Sequence, residues 1–202
     1  SANQQINEAR QGRVHEMGTT LVAVIVAGDR AFIANVGDSR AYLLRKGEPA
    51  IKQVTVDHSL VQRLMSTGQI TAEEAKYHPY RNVVFRSLGE KPAVEVDMFA
   101  ERLHPGDRLL LCSDGLSSVV DDQALLELLS RPLAPQAAAR QLIDAANDAG
   151  GPDNITALLV DINQTLRLPT YNLPVGRNAG PDFVDDLLAA HRSSTLTTSL
   201  LL

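Results

Sequence analysis

Two stretches of the chain are apolar at every position. Leu21-Val22-Ala23-Val24-Ile25-Val26-Ala27 is one, and Leu109-Leu110-Leu111-Cys112 is the other. An unbroken apolar run of this length predicts a strand buried on both faces. Val94 to Glu101 behaves differently. It alternates Val94, Val96, Met98 and Ala100 against Glu95, Asp97, Phe99 and Glu101, which predicts a strand with one wetter face. Gly28-Asp29 predicts a hairpin turn after the first run. The chain returns over Arg30 to Val36, breaks at Gly37-Asp38-Ser39-Arg40, and resumes over Ala41 to Arg45. Lys46-Gly47-Glu48 turns it again into Ile51 to Val54. With Ile155 to Ile162, the strands number roughly seven.

Helical signals lie between them. Residues 2 to 16 read as the end of a helix and a loop. Ser59 can cap a helix through Met65. Thr71 with Glu74 has capping-box spacing, and that helix ends before His78-Pro79. Residues 57 to 88 thus predict a helical insertion between strands, a natural flap over a site. Asp121 or Asp122 can cap a helix carrying Leu125, Leu126, Leu128 and Leu129. Pro135 opens another helix that runs through Asp148, with Gly150 as its stop. Strands apolar on both sides need cover on both sides. The predicted fold is therefore α+β, a four-layer α-β-β-α sandwich of two mostly antiparallel sheets. Residues 1–162 form the domain. Residues 163–202, rich in Pro, Gly, Asn and Thr and then in Ser/Thr with scattered Leu, are expected to be a poorly ordered tail or linker.

Composition narrows the function. Of 202 residues, 44% are hydrophobic and 21% charged, which is ordinary for a soluble globular domain. The net charge of −5 offers no basic footprint for nucleic acid or an anionic membrane. No apolar run approaches the ~20 residues that span a bilayer. The single cysteine, Cys112, rules out an internal disulfide and fits a reducing, cytoplasmic setting. It ends an apolar run with no acid-base partner nearby in sequence, so it reads as a packed thiol rather than a nucleophile.

The candidate chemistry sits at two acidic turns. Leu109 to Cys112 stops at Ser113-Asp114-Gly115, and Gly150-Gly151-Pro152-Asp153-Asn154 leads into the last strand. Each Asp is a turn residue in its simplest reading. The other reading applies if the two strands are neighbours. Asp114 and Asp153 can then face one hard cation, and oxygen-only ligation suits magnesium or manganese rather than zinc.

Five motifs in order complete a pattern: Met17-Gly18-Thr19-Thr20, Gly37-Asp38-Ser39-Arg40, Asp57-His58-Ser59, Ser113-Asp114-Gly115 and Gly151-Pro152-Asp153-Asn154. Over about residues 5 to 162 the chain resembles the metal-dependent serine/threonine protein phosphatases of type 2C, bacterial subgroup. The resemblance implies hydrolysis of phosphoserine and phosphothreonine in proteins by a metal-activated water. It implies two or three Mn2+ or Mg2+ ions per complete site. Asp114 and Asp153 fall on metal ligands, and Asp38 falls on the residue that helps hold a third ion. Ser113, Gly115, Asn154 and Thr156 are expected to brace the two turns. Residues 57 to 86 match the flap. Phosphorylated proteins are the implied partners, together with an opposing serine/threonine kinase and its targets.

Family members also carry an earlier segment with an Arg, a Glu-Asp pair and an Asp-Gly-x-Gly-Gly turn, and residues 1 to 16 contain none of these. The sandwich is thus expected to be incomplete at its N-terminus, with only part of the metal site on this chain and little activity in the chain alone. A non-catalytic phosphatase-like module that binds a partner or phosphoprotein is the alternative. Ser39 and Ser113 are poor nucleophile candidates. Arg40 reads as a structural ion-pair residue rather than a phosphate ligand, and His58 as a loop brace rather than a general acid.

Overall fold

Gly28, with φ of 61°, closes the first hairpin, a conformation that costs glycine little. It joins β1 (Leu21–Ala27) to β2 (Arg30–Val36), which pair antiparallel in register from Leu21–Val36 to Ala27–Arg30. The computed structural model describes residues 1–12 and 17–165. The polar opening segment forms α1 (Ala2–Gly12). Two buried asparagines hold it: Asn3 Nδ2 donates to the Lys91 and Pro92 carbonyls, and Asn7 Nδ2 donates to the Gly89 carbonyl.

Beyond Asp38 the chain forms β3 (Arg40–Leu44) and β4 (Ile51–Gln53). The flap follows with α2 (Leu60–Ser66) and α3 (Ala72–Lys76). Ser59 accepts the Gln62 N–H and Thr71 forms a full capping box with Glu74, as their spacing predicts. Then come β5 (Asp97–Arg102), β6 (Arg108–Cys112), the single turn α4 (Asp114–Ser117), α5 (Asp122–Leu129), α6 (Pro135–Asp148) and β7 (Ala157–Asp161). Asp121 rather than Asp122 caps α5, accepting from the Ala124 N–H. The predicted strand at Val94 begins three residues later, at Asp97. The expected tail lies, from residue 166 onward, outside the described residues.

The strands make two antiparallel sheets, β1-β2-β5 and β4-β3-β6-β7. β6 explains its own apolar sequence. Leu109 and Leu111 point between the sheets, against Ile33, Leu43 and Leu103. Leu110 and Cys112 point the other way, into a layer with Leu116, Leu125, Leu129 and Leu142 from the helices. Both faces are dry, so neither can carry polar residues. Burial also pushes the Cys112 thiol up to about 12 and keeps it unreactive. Arg108 staples the second sheet to its helices, pairing with Asp161 at 2.6 Å and donating to the Leu129 and Leu133 carbonyls.

β1 does not behave as its sequence predicts. Val22 and Val24 join the core between the sheets, but Leu21, Ile25 and Val26 are exposed, Ile25 by 52%. The reason is topological. β1 ends its sheet among the described residues, and α5 and α6 cover the outer face of the other sheet. An apolar terminal strand without charged gatekeepers invites strand pairing. We expect the chain to self-associate reversibly as its concentration rises, and Ile25→Lys to return it to monomer in size-exclusion chromatography with light scattering. A wild-type chain that stays monomeric at every concentration would sink this expectation. Among the described residues no helix is long and apolar enough to cross a membrane.

Candidate metal centre

Antiparallel pairing of β6 with β7 places Cys112 opposite Ala157. The two acidic turns, which continue from these strand ends, therefore meet. Ser113 stitches them. Its N–H donates to the Thr156 carbonyl at 3.1 Å, its Oγ accepts the Thr156 N–H at 3.0 Å, and its hydroxyl donates to the Asn154 carbonyl at 3.1 Å. Asp153 Oδ1 accepts the Asn154 N–H at 2.7 Å, which shapes the turn. Asn154 and Thr156 make these braces with their main chains. Gly115 is buried in α4, just after Asp114. A Cβ there would sit 2.9 Å from the Asn154 carbonyl carbon and closer still to its oxygen. The absence of a side chain is what lets the second turn rest on the first.

Asp38 comes from the first sheet's side, at the break between β2 and β3. Gly37 before it has φ of 109°, and a Cβ there would lie 2.6 Å from Thr20 Cβ. Thr20 in turn bonds Ser39 Oγ at 2.8 Å. The Asp38 carboxyl is raised to about 6, first by burial and next by the charge of Asp114. The nearby Arg40 guanidinium favours the charged Asp38 only weakly, and the Asp57 carboxylate that it holds works against it. Arg40 holds Asp57 with its Nε and Nη2, at 3.0 and 2.7 Å, and donates from Nη1 to the Tyr42 hydroxyl at 3.0 Å. Gln53 adds a further donor to Asp57. The result is two carboxylates that feel each other's charge, Asp38 and Asp114, both hard oxygen donors. Such a donor set fits a manganese or magnesium ion.

Asp38 and Asp114 are thus brought into one electrostatic field, and Asp153 is joined to Asp114 through the backbone. Among the described residues no three acidic, histidine or cysteine side chains converge on a common point. Several contributors carried no sequence signal. Asn35 is fully buried in β2 and donates to the Gly37 carbonyl. Asp97 receives Arg86 at 2.7 Å and faces His58 at 3.3 Å. In sequence Asp97 is only a polar position on an alternating strand, and its partners lie on the flap.

Known proteins resemble this chain in sequence and in fold. The protein phosphatase 2C profile matches residues 1–148. The serine/threonine phosphatase stp of Listeria innocua is 48% identical over 147 residues, covering 73% of this chain and 58% of that protein. The Mycobacterium tuberculosis serine/threonine phosphatase PstP/Ppp, a crystal structure, superposes with a TM-score of 0.74 at 41% identity, covering 80% of this chain and 68% of that one. The catalytic domain of PstP in complex with two manganese ions superposes with a TM-score of 0.69 at 41% identity, covering 79% and 67%. The chain spans a little over half the length of the Listeria relative it matches. Two antiparallel sheets, paired acidic turns at β6 and β7, and this degree of likeness agree: the chain belongs to the protein phosphatase 2C family.

Proposed function

We propose that this chain is part of a manganese- or magnesium-dependent protein phosphatase acting on phosphoserine and phosphothreonine. The observation that carries the reading is the meeting of the Asp114 and Asp153 turns at the ends of β6 and β7, stitched by Ser113, with Asp38 close enough to feel the Asp114 charge. Asp114, Asp153 and Asp38 are the residues that would hold the ions. When bound, such ions lower the pKa of a water and offset charge on phosphoryl oxygens. The protein's part is to aim oxygens. Ser113 and Gly115 fix the Asp114 and Asp153 turns, while Thr20 and Gly37 fix Asp38. Arg40 is spent on Asp57 and Tyr42, and the Ser39 and Ser113 hydroxyls are bonded to Thr20 and to the Asn154 carbonyl. A water rather than a protein hydroxyl is accordingly the nucleophile. The remaining ligands are supplied from outside these 202 residues, in a protein that works in the cytoplasm against a serine/threonine kinase.

Calorimetric titration with Mn2+ tests this directly. The chain should bind Mn2+, Asp114→Asn should weaken binding by roughly 100-fold or more, and Asp38→Asn by about tenfold, since even residues that only brace a ligand are worth about 10- to 100-fold. Hydrolysis of p-nitrophenyl phosphate by the chain alone should be very weak. Vigorous hydrolysis would mean that the ligand set has been misassigned. The second reading, a non-catalytic phosphoprotein-binding module, is favoured by the lack of a three-ligand cage among the described residues. A chain that takes up no Mn2+ yet binds a phosphopeptide would select it.

A further inference from the structure

One residue grips Gly37, the residue leading into Asp38, from both sides. The Gly37 N–H donates to His58 Nδ1 at 3.0 Å, and the Gly37 carbonyl accepts the His58 N–H at 2.9 Å. Asn35 supports the same carbonyl from below at 3.3 Å and reaches the Val56 carbonyl as well. Because Nδ1 is an acceptor, the neutral ring carries its proton on Nε2. Nε2 lies 3.3 Å from Asp97 Oδ2 on β5. Asp97 also receives Arg86 Nη1 at 2.7 Å, and that nitrogen sits 3.1 Å from His58 Nε2.

The flap leaves and returns at this point. Ser59 starts α2 directly after His58, and the Phe85 N–H donates back to the His58 carbonyl at 2.9 Å. The Phe85 ring lies beside the imidazole, with centroids 6.1 Å apart. His58 is 4% exposed and both of its ring nitrogens are engaged, which leaves neither free to serve as a general acid.

We infer that His58 is a positioning residue that couples the rest of the flap, residues 59–86, to the turn that aims Asp38. The imidazole is rigid, and its two edges are held by Gly37 and by the Asp97–Arg86 pair. A shift of the flap's returning segment at Phe85 and Arg86 therefore moves the ring, and the ring moves the Gly37 peptide. Flap position and Asp38 position become one variable. The metal consequence rests on the reading of Asp38 as a cation-holding residue; the mechanical coupling does not.

Hydrogen exchange on the full 202-residue chain tests the coupling, with Mn2+ titration as a separate arm. His58→Ala should speed exchange in residues 36–40 and 84–88 together and leave β6 protected. It should also weaken Mn2+ binding about tenfold. His58→Asn offers an acceptor oxygen near the Nδ1 position. It should restore residues 36–40 and Mn2+ affinity while 84–88 stays loose. Asp97→Asn keeps the imidazole but weakens its hold on Arg86, so it should loosen 84–88 and 36–40 together. The coupling fails if His58→Ala loosens only one of the two segments, or if exchange rises equally across β6. If His58→Ala does not fold, Asp97→Asn decides it: loosening of 36–40 along with 84–88 upholds the coupling, and loosening of 84–88 alone overturns it. A wild-type chain that binds no Mn2+ removes Asp38's metal role and leaves the exchange result to decide the clamp.

Discussion

Gly115→Ala is expected to lower stability by about 1–3 kcal/mol and Mn2+ affinity by roughly 10- to 100-fold. The added methyl meets backbone, not a side chain that could rotate away. It would lie 2.9 Å from the Asn154 carbonyl carbon and 3.4 Å from that of Asp153. The two turns must therefore separate, and the Ser113 bonds to Asn154 and Thr156 go with them. Loss of the fold alone would lower stability without changing metal binding in the folded fraction. Thermal unfolding and calorimetry on the same samples separate the two effects. An alanine variant with wild-type stability and wild-type affinity would show that Asp153 does not depend on this contact.

Asp57→Ala should cost about 3–5 kcal/mol, the larger stability effect of the two. Asp57 is 7% exposed and meets Arg40, 25% exposed, at 2.7 Å. Burial pulls the Arg40 guanidinium down, but the hydrogen bonds and charge of Asp57 outweigh it and the net shift is upward. Removing the carboxylate leaves a half-buried cation whose remaining side-chain bond is to the Tyr42 hydroxyl. The penalty is that of an unpaired charge, so removing both charges should recover much of it. Urea unfolding of Asp57→Ala against the double variant Asp57→Leu with Arg40→Met measures this. Equal instability in both variants would mean that packing, not charge, decides the site. The freed guanidinium would also lie near Asp38, so the single variant should bind Mn2+ less tightly per folded molecule.

Much of this architecture was legible because its signals are local. The capping residues Ser59, Thr71 and Asp121 and the proline at position 135 mark helix starts through bonds or angles within one turn of chain. The unbroken apolar run of β6 implied cover on both faces, and helices and a second sheet provide it. The same inference failed for β1, although its sequence is even more apolar. Burial is a property of what packs over a strand's face, and among the described residues little covers the face of β1 that carries Ile25. The one-turn helix at Asp114 was also missed, since four residues carry no periodicity to detect.

The candidate site divides in the same way. Asp114 and Asp153 stood out because each interrupts or precedes an apolar strand at a glycine-bearing turn, a pattern readable within ten residues. Asp38 and His58 were named through resemblance, and their neighbours decide what they do. Taken alone, the chain's residues determined the order and kind of its elements and the presence of two acidic turns. Only the folded molecule decided that these turns touch, that Asp38 feels the charge of Asp114, and that His58 ties the flap to Gly37. Turn and helix signals arise from residues that are close in sequence. A carboxylate's field and a hydrogen bond between residues 113 and 154 depend on distances that exist only after β6 and β7 have paired.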